Sequence, residues 1–176
     1  MVNENKKIKR AVYAGTFDPV TDGHIFVLKK AAELFDEVYL ALCINPKKTP
    51  AFSVCERMEM LNAVSKDFKN VKTAYHEGLL VDFMREVGAL YSVRGVRNDT
   101  DYNYENEMHF INQKLYPEMT TIFIPSDEEI VNVSSTRVKE MILNGEDLKG
   151  VLPEAVIKII NAHKNKQLSK NASKKA

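Results

Sequence analysis

At 176 residues, 44% hydrophobic and 28% charged, the chain has the composition of a single soluble domain able to bury its own core. No run of about 18 apolar residues marks a membrane span, and the N-terminal MVNENKKIKR has no apolar stretch to serve as a secretory signal. The formal charge of +1 hides an asymmetry: residues 163–176 carry five lysines and no acid, leaving 20 basic against 24 acidic residues elsewhere.

An acidic body of this kind is not a nucleic-acid-binding footprint. A single domain over 1–163 is expected, followed by a Lys-rich, disordered tail over 164–176. Two cysteines, Cys43 and Cys55, form no C-x-x-C pair and are expected as buried, reduced thiols of a cytoplasmic protein.

In chain order, strand-like apolar runs alternate with runs of helical period. Ala11, Val12 and Tyr13 form a short strand, AGTFDPVTDGH (14–24) leaves it, and Ile25, Leu28, Ala32 and Phe35 follow at helical spacing. Residues 37–44, EVYLALCI, are nearly all apolar, as in a strand buried on both faces. Ser53 and Glu56 have the spacing of a capping box for a helix through about residue 64. A shorter strand over 70–76 precedes a helix over 79–88 that ends at Gly88. Residues 90–95 (LYSVRG) read as the fourth strand, 101–115 as a helix and 120–124 (TTIFI) as the fifth strand. Ser134 or Ser135 caps the next helix, which stops at Asn144-Gly145, and Pro153 opens the last. The alternation predicts a Rossmann-like α/β fold, a parallel sheet with right-handed crossovers and helices on both faces. No internal repeat or linker interrupts it.

Ligands of such sheets bind beyond the carboxyl ends of the strands, and here every polar constellation follows a strand. In the first loop Gly15 permits close backbone approach, Pro19 stiffens the turn, and Gly23-His24 opens a helix whose free N–H groups favour an anion. The loop has neither a dinucleotide fingerprint nor the Gly-Lys-Ser/Thr of a P-loop. A histidine at a helix start is odd for stability alone, because the dipole disfavours its charged form; it makes sense as a hydrogen-bond donor to a bound anion. Arg94 and Arg97 flank a glycine directly after a strand, where both can reach a polyphosphate. Ser134, Ser135 and Thr136 at a helix start suit phosphate oxygens, and a plain N-cap accounts for only one of these hydroxyls. Lys47 and Lys48 lie in a Pro-bounded loop on the same rim. No nucleophile with its base and no metal-spaced His/Cys/Glu cluster is apparent. The chemistry such donors serve is direct phosphoryl or nucleotidyl transfer, by positioning and charge stabilisation.

These motifs carry a resemblance. Across about residues 9–160, in order, YAGTFDPVTDGH, NPKKTPAFSVCER, RGVRNDTDYNYENEMHFINQKLYPE, VSSTRVKE and GVLPEAV resemble the bacterial phosphopantetheine adenylyltransferases. That family belongs to the nucleotidyltransferase superfamily marked by T/H-x-G-H. The arginine motif followed by Asp101-Tyr102-Asn103-Tyr104-Glu105 makes the likeness specific. It implies transfer of the adenylyl group of ATP to 4′-phosphopantetheine, giving dephospho-coenzyme A and pyrophosphate in coenzyme A biosynthesis.

By the same resemblance, His24 would be the catalytic residue, stabilising the transition state. Thr16, Lys48, Leu80 and Arg94 would bind phosphopantetheine. ATP would be bound by Thr16, Phe17, His24, Gly95, Val96, Arg97 and Glu105, and by Ile130, Val131, Asn132, Val133, Ser134, Ser135 and Thr136. Mg2+ would arrive with ATP, coenzyme A would be a feedback ligand, and a cytoplasmic homohexamer with no nucleic-acid or membrane partner is implied. Ala14 stands where the family usually has proline, Asn103 where glutamate is common, and Ile130 where an aromatic is frequent. The competing expectations are a nicotinate-mononucleotide adenylyltransferase and a catalytically inactive nucleotide-binding regulator.

Overall fold

The computed structural model describes residues 7–44, 49–127 and 133–173. Its strands are β1 (Arg10–Gly15), β2 (Glu37–Cys43), β3 (Val71–His76), β4 (Tyr91–Val96) and β5 (Thr120–Pro125). They form one sheet in the order β3-β2-β1-β4-β5, every neighbouring pair parallel. The expected Rossmann-like α/β architecture is the one observed. After β1 the chain steps outward through β2 to β3, then returns to place β4 on the free side of β1. Tyr13 pairs with Leu40 of β2 on one side and with Val93 of β4 on the other.

The helices are α1 (Asp22–Leu34), α2 (Val54–Ser65), α3 (Leu80–Glu86), α4 (Asp99–Leu115), α5 (Ser135–Asn144) and α6 (Glu154–Ser173). Strand alternation splits the core into two layers. Ala11, Tyr13, Leu40 and Leu42 face a layer built with Leu28 of α1, Leu61 of α2, Val138 of α5 and Val156 of α6. Val12, Ala14 and Ala41 face the other, with Val81, Phe83 and Met84 of α3. Both faces of the sheet are covered, as the apolar run 37–44 requires.

Local signals set the helix ends. At α2, Ser53 N–H donates to Glu56 Oε2 at 2.8 Å and Glu56 N–H returns to Ser53 Oγ at 3.3 Å. Ser134 caps α5 by accepting from Arg137 N–H, and Gly145 ends it in the left-handed region at φ +70°. One expectation changes. Cys55 is exposed rather than buried, because the inward face of α2 is Arg57, Met60, Leu61 and Val64; both cysteines are free. The backbone of α6 is helical through Ser173.

Candidate active site

The strand order reverses between β1 and β4, and the crevice at their carboxyl ends is where an open α/β sheet takes its ligand. A cavity of about 350 Å3 lies there, lined by Thr16 and His24 from the first loop, Arg94 and Arg97, Glu105 of α4, and Thr136 of α5. A second cavity of about 380 Å3 runs beneath α4, lined by Cys43, Leu79, Leu80, Met108 and His109. The two share Thr16, Arg94, Tyr104 and Glu105 as a common wall. A third, about 490 Å3, lies against Asp18, Arg57 and Lys139 and shares Thr16, Ser135 and Thr136 with the first. Thr16 lines all three.

At the start of α1, His24 occupies the third helical position after the N-cap Thr21. Its Nδ1 accepts the Thr21 backbone N–H at 2.9 Å, with Thr21 Oγ1 also at 2.9 Å. An Nδ1 that accepts leaves the proton of the neutral ring on Nε2, so the imidazole offers the cavity a donor. Burial pushes the His24 pKa down to about 4, and Arg97 and Arg94 push in the same direction. The ring packs edge-on to Phe17, with centroids 5.1 Å apart. It is therefore a neutral, oriented donor near pH 7, in agreement with its placement at a helix start.

Both arginines are held by carboxylates of α4. Arg94 donates from Nε and Nη2 to Glu105 at 2.6 and 2.5 Å, and from Nη1 to the Ala14 carbonyl at 2.5 Å. Arg97 donates from Nε and Nη2 to Asp101 at 2.7 and 3.1 Å. Asp101 and Glu105 are one helical turn apart, so one face of α4 orients both guanidinium groups. Arg94 lines the first two cavities, whereas Arg97 lines only the first.

The three hydroxyls at the start of α5 divide their work. Ser134 is the cap, and Ser135 spends its proton on the Pro19 carbonyl at 2.9 Å, tying α5 to the first loop. Thr136 lines the cavity beside them, at a helix N-terminus that favours an anion.

The residues expected at the site mostly converge. Thr16, Phe17, His24, Arg94, Gly95, Arg97, Glu105, Val133, Ser134, Ser135 and Thr136 all line the first cavity, and Leu80 lines the second. Phe17 is only 1% exposed, and its ring belongs to the core against His24, so it shapes the cavity wall rather than offering it free surface. Val96 is not among the lining residues of these cavities. Lys48, Ile130, Val131 and Asn132 lie outside the described residues, as does Lys47.

Two residues that support the site went unnoticed in the sequence. Asp18, 5% exposed, accepts from the backbone N–H groups of Ala51 and Phe52 at 2.9 and 3.0 Å and from Lys139 Nζ at 3.2 Å. It joins the first loop to the approach to α2 and to α5. Arg57, 2% exposed, reaches from α2 to donate to the Thr16 carbonyl at 3.0 Å. The available signal was its spacing: Arg57 shares the i, i+3, i+4, i+7 stripe of Met60, Leu61 and Val64, where a charge must have a specific partner.

A crevice of neutral and cationic donors at the β1/β4 switch point, with helix starts aimed into it, suits phosphoryl or nucleotidyl transfer. A family model described as Cytidylyltransferase-like matches residues 12–141. Proteins named phosphopantetheine adenylyltransferase are similar over most of the chain. That of Dictyoglomus turgidum is 42% identical over 147 residues, covering 84% of this chain and 92% of its own. That of Chromobacterium violaceum is 46% identical over 136 residues, covering 77% and 83%. That of Neisseria meningitidis serogroup C is 43% identical over 162 residues, covering 89% and 95%. The chain belongs to the phosphopantetheine adenylyltransferase family.

Proposed function

We propose that this chain transfers the adenylyl group of ATP to 4′-phosphopantetheine, giving dephospho-coenzyme A and pyrophosphate. The observation that carries this reading is the common wall of two cavities. One is lined by His24, Arg97 and the start of α5 and suits a nucleotide; the other is lined by Leu79, Leu80 and Met108 and suits a long, mostly uncharged arm. Thr16 and Arg94 belong to both, so the two reacting phosphates would meet there.

In the reaction an oxygen of the acceptor phosphate bonds to the α-phosphorus as the bond from that phosphorus to pyrophosphate breaks. No general base is needed, since a phosphate monoester is already ionised near neutral pH. Negative charge builds on the non-bridging oxygens, where the Nε2–H of His24 would donate more strongly than in the ground state. Arg97 would hold the nucleotide and Arg94 the acceptor. Lys48, Glu105 and residues 130–136 are proposed as further contacts.

Mg2+, when bound, would neutralise phosphate charge and polarise the leaving pyrophosphate. The donor set suits an ion brought in on the triphosphate: among the described residues no group of three His, Cys, Asp or Glu side chains could hold one. Asp101 and Glu105 are engaged by arginines, so the phosphates would supply most of the ion's oxygens, with hydroxyls of the cavity wall such as Thr16 and Thr136 as the protein groups nearby.

Coenzyme A, which joins the same arm to an adenine nucleotide, would span both cavities as a feedback ligand. A cytoplasmic homohexamer is part of this reading; self-association, though not its number or its location, is what the exposed apolar residues of α4 support, Phe110, Ile111 and Leu115 being 53%, 52% and 45% exposed. No helix among the described residues is long and apolar enough to cross a membrane. The similar proteins do not favour a nicotinate-mononucleotide acceptor or an inactive regulator. Pyrophosphate release from ATP, measured side by side with phosphopantetheine and nicotinate mononucleotide, tests the reading. Faster release with nicotinate mononucleotide, or none with either, would overturn it.

A further inference from the structure

None of the residues of α4 is buried, yet Glu105, Met108, His109 and Asn112 recur on one face and line the cavity beneath the helix. Glu105 holds Arg94, and Met108 supplies apolar surface. His109 has no such evident task. Its Nδ1 lies 3.0 Å from Thr121 Oγ1 of β5, and its ring sits 5.4 Å from that of Phe110. These contacts orient the imidazole and leave Nε2 without a protein partner among the described residues. A polar atom at the wall of a partly enclosed cavity is stabilised by whatever hydrogen-bonds it there.

The sheet register gives its depth. Arg94 pairs with Phe123 and Ser92 with Thr121, so His109's partner lies two residues further down the strands than Arg94. That is roughly 6–7 Å. On α4 the step from Glu105 to His109 is about one turn, roughly 6 Å. Both routes place His109 one step deeper than the Arg94–Glu105 pair. In the arm of phosphopantetheine, about five bonds separate phosphorus from the first amide carbonyl, beside the hydroxyl. Extended, they span roughly 6 Å.

We propose that His109 is a specificity-determining residue for the acceptor, its Nε2 hydrogen-bonding the hydroxyl–amide unit that follows the phosphate in the arm. Either neutral tautomer serves, since an amide offers both a donor and an acceptor. The proposal rests on the reading of this cavity as the acceptor site.

The test uses the full chain with His109→Ala and His109→Gln, measuring kcat and both KM values. Alongside these goes the inhibition constant of neopentyl phosphate, which keeps the phosphate and branched carbon but lacks the hydroxyl and amide. His109→Ala should raise the KM for phosphopantetheine about tenfold, the scale of one lost hydrogen bond. The KM for ATP, kcat and the neopentyl phosphate constant should stay within about twofold. His109→Gln, which retains an N–H at similar reach, should recover most of the loss. An unchanged phosphopantetheine KM overturns the proposal, as does an equal rise in the neopentyl phosphate constant, which would mean a general disturbance of the cavity. A wild-type chain that transfers adenylyl well to nicotinate mononucleotide and not to phosphopantetheine would instead overturn the reading of the site, and this proposal with it.

Discussion

The imidazole of His24 is held in one tautomer by the backbone of its own helix start, and its environment keeps it uncharged. His24→Ala should lower turnover about a hundredfold or more, roughly 3 kcal/mol of barrier, with ATP affinity nearly unchanged. Turnover and calorimetric ATP binding on one preparation check this; a loss explained wholly by weaker ATP binding would make His24 a binding residue only. The depressed pKa also has a sign. A folded value of about 4 against 6.5 unfolded means the unfolded chain takes up the proton first, so this contribution to stability is complete above pH 6.5 and is lost as pH falls toward 4. Nitrogen NMR should find Nδ1 unprotonated and Nε2 protonated throughout pH 5.5–8. A midpoint near 6.5 would contradict the buried, arginine-flanked site. The arginines differ by position. Arg97→Ala should weaken ATP by about 1.5–3 kcal/mol with little effect on phosphopantetheine, and Arg94→Ala the reverse. Arg94→Ala should also lower the melting temperature, because it strands Glu105, whose side chain is only 13% exposed. Titration of each variant with each ligand separates the roles; equal effects of both changes on both ligands would refute them.

At the scale of elements, the site depends on how closely α1 approaches β4. A Cβ added at Gly95 would lie 2.7 Å from Cγ2 of Val27, a stiff β-branched side chain that is 2% exposed. The glycine of Arg-Gly-Val-Arg, near the end of β4, therefore permits packing as well as backbone access to a ligand. Gly95→Ala should destabilise the chain by about 1–3 kcal/mol, the usual range for an overpacked contact. Urea unfolding monitored by circular dichroism measures it, and a midpoint equal to wild type would mean that α1 moves aside at no cost. The same proximity brings the start of α1, and with it His24, beside Arg94 and Arg97.

At the scale of the whole molecule, six helices cover the sheet among the described residues, and α4 is the one of these that adds no buried residue. Its inner face lines a cavity and grips two arginines, while its outer face leaves Phe110 and Ile111 half exposed. Contact with further copies of the chain would cover that face. Light scattering should therefore report an oligomer, and Ile111→Glu should lower its mass while leaving far-ultraviolet circular dichroism unchanged. A monomeric wild type, or an Ile111→Glu variant of undiminished mass, would remove α4 from the assembly.

The sequence by itself determined what short-range physics controls. Residues 37–44 were legible as a doubly buried strand because nearly every side chain is apolar, and Ser53 with Glu56 marked a helix start because the bonds span three residues. The Gly-His helix start and the arginine pair were legible as anion chemistry for the same reason, since each lies within four consecutive residues. Only the tertiary structure decided which loops meet. Local periodicity carries no record of strand order, so nothing in β4 announced that it would lie against β1 rather than β3. The bond from Arg94 to Ala14 spans 80 residues and the ion pair from Lys139 to Asp18 spans 121. Arg57 lies on the buried stripe of α2, and its partner, the Thr16 carbonyl, comes from 41 residues away. A buried charge is tolerated where a partner is supplied, and that partner is chosen by the packing of the whole chain.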